Sequence, residues 1–146
     1  MRVDDKIMEI EKYLQELSEI IPGNFEEYQE NLEKKAACER YFQKIIEAAV
    51  DLTFLVIKEN KLKTPEENKE ALDILSGKEI ISNKISEKLK DAIGMRNFII
   101  HQYEKLNDEI VFEALTEQLE RDIKEFISSI KSAIKKRIKK EKSWKT

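Results

Sequence analysis

Apolar residues recur at intervals of three and four through most of the chain, and the breaks in that rhythm divide it into segments. The first stripe, Ile7, Ile10, Leu14 and Leu17, predicts a helix from about Asp4 to Ile20, ended by Pro22 and Gly23 in "IPGN". Asn24 is placed to cap the next segment, which runs to about Asn60 with a bend expected between Asn31 and Lys35. Its later part, "YFQKIIEAAVDLTFLVI", is apolar around most of its circumference, the pattern of a helix enclosed by others. "TPEE" at 64–67 reads as a capping box with Pro65 at the first helical position, so a short helix is predicted to start there and stop at Ser76 and Gly77. A further helix is predicted from about Asn83 through Arg96, with Ile85, Leu89 and Ile93 inward. The last starts near Asn107 or Asp108 and carries Leu115, Leu119, Ile123, Phe126, Ile130 and Ile134 on one side. These segments predict an all-α fold, an antiparallel bundle of four long helices plus one short helix.

Composition agrees with that class. Three Gly and two Pro in 146 residues leave little turn material, and Lys and Glu dominate the polar positions. This length suits one domain, a helical bundle over 1–130 followed by a basic helix end or tail at 131–146. No apolar run approaches the roughly 18–20 residues that cross a bilayer, and the N-terminus has no apolar stretch of the secretory kind. The expectation is a soluble, cytoplasmic protein without a membrane partner. The single cysteine, Cys38, has no second thiol to pair with and reads as a packed residue. The formal charge of -3 conceals an asymmetry: residues 131–146 hold eight Lys or Arg and one Glu, which leaves 19 basic and 29 acidic residues before them. Such a basic end either suits the negative pole of a helix dipole or touches a phosphate backbone.

The chain's one histidine, His101, lies in "GMRNFIIHQY". At about 100° per residue, a continuous helix places Tyr103 within roughly 20° of Arg96 and His101 about 40° from Asn97. Arg96, Asn97, His101 and Tyr103 then share one polar arc, with Ile100 inside it and Phe98 and Ile99 opposite. Polar groups gathered on a helix must be exposed or satisfied. They are therefore either a site or a packed helix end in which Arg96 pairs with a surface acid. Glu47 and Asp51, four residues apart on the predicted central helix, either orient Arg96 or His101 or form an exposed, self-repelling pair. No Glu-x-x-His or second His is present to build a metal centre, and "LSGKE" lacks the remainder of a phosphate loop. No metal or other cofactor is expected.

At these residues the sequence resembles the HEPN domains, and within them the HepT toxin type, whose signature of Arg, four residues, His, one residue, Tyr stands here as "RNFIIHQY". "LKDAIGM" before it and "ERYFQKIIEAAVDL" at 39–52 extend the likeness over most of residues 36–125. The resemblance implies a metal-independent endoribonuclease acting on RNA, with Arg96 and His101 catalytic, Asn97, Glu47 and Asp51 supporting, and the site shared across a homodimer. It also implies an MntA-like nucleotidyltransferase antitoxin as partner, which silences the toxin by adding AMP to Tyr103. The chemistry is coherent with one His per chain. A single imidazole cannot be base and acid at once, so two copies of His101 meeting at a two-fold axis supply both, while Arg96 offers a fork that fits phosphate oxygens. The alternative is a catalytically inactive HEPN helical module that binds the nucleotidyltransferase or a nucleic acid.

Overall fold

Helix boundaries follow the local chemistry of the chain. In the computed structural model, which describes residues 2–144, α1 (Val3–Ile20) starts with Asp4 and Asp5 at the positive pole of its dipole and buries Val3, Ile7, Ile10, Leu14 and Leu17. It ends before Pro22, which cannot continue a helix. The Asn24 side chain accepts a hydrogen bond from the Glu27 amide at 2.9 Å and opens α2 (Phe25–Glu30). The expected bend is a complete break at Asn31, whose side chain accepts from the Lys34 amide and starts α3 (Leu32–Glu59). α3 buries Cys38, Phe42, Ile45, Ile46, Leu52 and Val56 and is the central helix. Burial raises the Cys38 thiol to about 11, as expected of a packed cysteine.

One boundary departs from the sequence pattern. α4 (Asn68–Gly77) begins three residues after Pro65, with Glu67 as its extended N-cap and no side-chain cap bond there. The Glu70 carboxylate instead accepts from the Glu66 amide at 3.0 Å. Pro65 is buried, and Phe54, Leu55 and Leu62 line the same groove. Seating the ring there keeps 64–67 out of the helix, so Thr64 does not cap.

α5 (Asn83–His101) is capped by Ser82, which accepts from the Ile85 amide at 3.1 Å, and it runs five residues beyond Arg96. After a 3-10 turn at Tyr103–Lys105, Asn107 caps α6 (Asp108–Glu113). A π-helical turn at Ala114–Gln118 joins α6 to α7 (Leu119–Trp144), so the last three elements are one continuous rod. Such π turns often fall beside functional surfaces, and this one shares a groove of about 300 Å³ with Ala92 and Met95 of α5.

Long-range contacts fix the directions. Lys6 of α1 pairs with Asp51 of α3, while Tyr13 meets Tyr41 edge-on, so α1 and α3 are antiparallel. Tyr103, just past the end of α5, reaches Glu39 near the start of α3, so these two are antiparallel as well. Arg137 of α7 meets Glu59 at the end of α3, which makes α7 parallel to α3. Tyr28 and Phe112, ring centroids 5.0 Å apart, tie α2 to α6. Fully buried Ile45, Ile85, Ile123 and Phe126 form the centre, each contributing roughly 1.5–3 kcal/mol by leaving water. The four long rods are those the sequence predicts, with α2 and α4 as short additions. Among the described residues no helix is long and apolar enough to cross a membrane.

Candidate functional site

The last turns of α5 carry the site residues. Arg96 is half-buried, and its Nη2 donates to Asn97 Oδ1 at 3.0 Å, while its Nε is buried without a hydrogen-bond partner. His101 is the final residue of α5 and is exposed. A base or cation at that position lies at the negative pole of the helix. Four residues separate Arg96 from His101, and both stay on the helix, so the chain brings them to one end of the bundle by local structure alone.

Two parts of the predicted arc come out differently. Phe98, expected on the side opposite the polar groups, is 39% exposed, as Ile100 is 44% exposed, and only Ile99 of the three turns inward. Tyr103 is not on the helix: Gln102 leaves the helical region, its amide closing on the Phe98 carbonyl at 2.8 Å, and the chain turns back toward α3. There the Tyr103 hydroxyl donates to Glu39 Oε1 at 3.1 Å, although its ring remains half-exposed.

Glu39 was not among the residues singled out from the sequence. It is 3% exposed, and its Oε2 is buried without a partner. Burial raises its pKa; the Tyr103 hydrogen bond and the Lys35 charge pull it back, and Asp108 adds to the rise. The same burial, with Glu39 facing it, raises the Tyr103 hydroxyl. Lys35 pairs with Asp108 at 2.9 Å and lies 6.0 Å from the centre of the Tyr103 ring. One signal for Glu39 was available: it stands three residues before Phe42 and seven before Ile46, on the buried stripe of α3, where an acid is costly unless bonded.

The two acids predicted to support the site do not join it. Asp51 is exposed and lies 3.6 Å from Lys6, which also holds Glu9 at 2.8 Å. Burial works against the Lys6 charge, but Glu9 and Asp51 outweigh it and raise its pKa. Asp51 therefore belongs to the α1–α3 contact, because antiparallel packing brings its part of α3 to the start of α1. Glu47 makes no hydrogen bond or ion pair with Arg96 or His101 among the described residues. Asn97, by contrast, accepts a hydrogen bond from Arg96.

Among the described residues no group of three or more His, Cys, Asp or Glu is placed to hold a metal ion. Phe98, Ile100 and Ile110 are exposed, and the polar side chains here are Arg96 and His101 on the last turns of α5 and the Tyr103–Glu39 pair just past its end. They can bind a phosphate, move protons and offer a hydroxyl nucleophile.

Residues 10–130 match the family described as Ribonuclease HepT-like. The chain is 24% identical over 122 residues to the mRNA nuclease HepT of Shewanella oneidensis, covering 84% of this chain and 90% of that one. It is 24% identical over 119 residues to the tRNA nuclease HepT of Aphanizomenon flos-aquae, covering 82% and 81%. Its backbone resembles a chain of a solved toxin–antitoxin complex with AMP-PNP, with a TM-score of 0.81 at 23% identity over 89% of this chain and 97% of that one. The tri-AMPylated Shewanella oneidensis HEPN toxin in complex with MNT antitoxin gives 0.81 at 24% identity, covering 89% and 96%. At those identities the two structures speak to the fold. The family match spans α3, α5 and the turn after it, the elements that carry Glu39, Arg96, His101 and Tyr103, and this chain belongs to the Ribonuclease HepT-like family.

Proposed function

We propose that this protein is the toxin of a toxin–antitoxin pair and cuts RNA without a metal ion at a site made by two copies of the chain. The observation that carries the reading is the end of α5, where exposed His101 and half-buried Arg96 flank an apolar surface of Phe98 and Ile100. A lone chain gains nothing from exposing those apolar side chains. A second copy packed on them buries the surface and brings a second His101 and Arg96 alongside the first.

In that arrangement one His101 takes the proton of a ribose 2'-hydroxyl, whose oxygen attacks the adjacent phosphorus. The bond to the 5'-oxygen breaks, and the other copy's His101 protonates the departing oxygen. The two Arg96 side chains face the charge that gathers on phosphorus, with Asn97 holding each guanidinium in line. Being acid and base on one substrate is what a single His per chain cannot do alone.

Tyr103 is the point of control. In the proposed reaction its oxygen attacks the α-phosphorus of ATP bound to an MntA-like nucleotidyltransferase; an O–P bond forms, pyrophosphate leaves, and the phenolic proton passes to Glu39 at 3.1 Å. The added phosphodiester is an anion near Lys35, and its nucleoside occupies the cleft between copies. The AMPylated state of the Shewanella oneidensis toxin supports this reading. The setting is cytoplasmic, where RNA and ATP are both at hand.

The test is digestion of a mixed RNA pool by purified protein in excess EDTA, alongside His101→Ala and Arg96→Ala. Persisting cleavage that both substitutions suppress is expected. Intact RNA in every reaction, or equal cleavage by all three proteins, refutes the nuclease reading. Incubation with the cognate nucleotidyltransferase, ATP and Mg²⁺ is expected to add AMP mass to the Tyr103 peptide. Addition at Tyr13 or Tyr41 instead refutes the regulatory assignment; Tyr28 is fully buried and out of reach.

A further inference from the structure

The basic end of α7 lies far from the cleavage surface and outside the family match, which stops at residue 130. Arg137 Nη2 lies 3.8 Å from Glu59 Oε1 and its Nη1 reaches Asn60 Oδ1 at 3.4 Å, so this part of α7 is anchored at the C-terminal end of α3. Glu39, the contact of Tyr103, is near the other end of the same helix. Twenty residues of α-helix at about 1.5 Å each put roughly 30 Å between the two. Beyond Arg137 the helix continues to Trp144, about 10 Å more at the same rise.

Most cations on this rod are uncommitted. Lys131 pairs with Glu11 and Arg137 with Glu59. Lys135, Lys136, Lys139, Lys140 and Lys142 make no ion pair among the described residues, and all five are exposed. The dipole of one helix end is equivalent to about half a charge, far less than these five. Lys135 and Lys136 also end the two grooves that flank α7, one against α1 with Ser128 and Ser132, the other against α4 and α5 with Ser129. The body of the protein carries ten more acids than bases, so the basic end of α7 is where net charge attracts a polyanion. An amphipathic membrane helix needs a broad apolar face. Ile138 is the one exposed large apolar side chain described on α7, while Ile134 packs on the core.

We propose that Lys135, Lys136, Lys139 and Lys140 of α7 form a binding site for the phosphate backbone of the RNA substrate, about 30 Å from Arg96 and His101. The proposal rests on the nuclease reading for the identity of its ligand. It selects substrates by length: at roughly 3.4 Å per stacked nucleotide, about nine nucleotides separate the tail from the scissile bond. Long or structured RNA engages both places at once, and a trinucleotide cannot.

The experiment measures binding in the full-length His101→Ala protein, which leaves the RNA intact. Fluorescence anisotropy is recorded with a single-stranded RNA of about 20 nucleotides and with a trinucleotide, between about 50 and 200 mM salt. The comparison protein adds Lys135→Gln, Lys136→Gln, Lys139→Gln and Lys140→Gln, changes that keep good helix formers in place; circular dichroism checks that the helix content is kept. Four phosphate contacts contribute a salt slope of about 0.7 each, close to 3 in total. The long RNA is therefore expected to lose at least tenfold in affinity at low salt, its salt slope to fall by about 3, and the trinucleotide to be unaffected. Affinity and slope within twofold of the parent overturn the proposal. So does tail-dependent binding to phosphatidylserine–phosphatidylcholine vesicles with RNA affinity unchanged, which makes the surface a membrane contact. Tail-dependent RNA binding by a wild-type protein that cuts nothing upholds this site and removes only the nuclease reading. Cleavage with no effect of the tail does the reverse.

Discussion

Replacing Tyr103 by Phe tests the polar cluster beneath the site, because it keeps the ring and deletes the one donor to Glu39. Both carboxyl oxygens then lack a hydrogen bond in a nearly closed position. A hydrogen bond to a charged group contributes about 1.5–3 kcal/mol. The half-exposed ring lets water approach the vacated place, so a loss near the lower end, about 1.5 kcal/mol, is expected. For a chain of this size that is a fall in Tm of about 6 °C. The loss depends on pH. Burial raises the Glu39 carboxyl above its unfolded value, so the folded protein binds the extra proton. Its contribution is fully present below the ordinary carboxylate range and is lost as pH rises through the raised value. Tyr103→Phe removes an influence that lowers this pKa, so its cost should be small in acid, where Glu39 is protonated, and full at neutral pH. Glu39→Gln deletes the charge, and in that background Tyr103→Phe should cost under about 1 kcal/mol. Urea unfolding of the four proteins across the acid-to-neutral range measures all of this. A cost that is the same at both ends of the range, or equal within about 0.5 kcal/mol in the two backgrounds, refutes the coupling.

Three further outcomes follow from the geometry. His101→Ala and Arg96→Ala should each slow RNA cleavage by about 10² to 10⁴, with Tm within a few degrees of wild type, since His101 is exposed and Arg96 is held only through Asn97. Phe98→Glu with Ile100→Glu should shift the protein from dimer toward monomer by light scattering at micromolar concentration, because a stable interface needs more than about 1,000 Å² and these side chains lie at the centre of the one proposed; an unchanged mass counts against the two-copy site. Glu79 sits after α4 with φ of 59°, in the left-handed region that costs a residue with a side chain about 1–2 kcal/mol. Glu79→Gly should therefore raise stability by about 0.5–1 kcal/mol in a urea melt after the extra freedom of glycine in the unfolded chain is offset.

The sequence by itself determined whatever depends on neighbours within about one turn. The rods, the cap at Asn24, the start of the last rod near Asn107, and the placing of Arg96 and His101 toward one helix end are all of this kind, because helical periodicity and side-chain capping act over three to five residues. The likeness of "RNFIIHQY" to a known signature rests on the same short range. Tertiary structure decided the rest. Tyr103 and Glu39 are 64 residues apart, and no local rule joins them; their contact exists because α3 and α5 run antiparallel and the chain turns at Gln102 instead of continuing the helix. A wheel that assumes an unbroken helix kept Tyr103 beside Arg96 for that reason. Asp51 went to Lys6 because the same packing brings the start of α1 to its part of α3. Pro65 left the helix it was expected to start when its ring found a buried seat. In each case two distant segments compete for a side chain, and the free energy of burying or pairing it outweighs the local preference that the sequence displays.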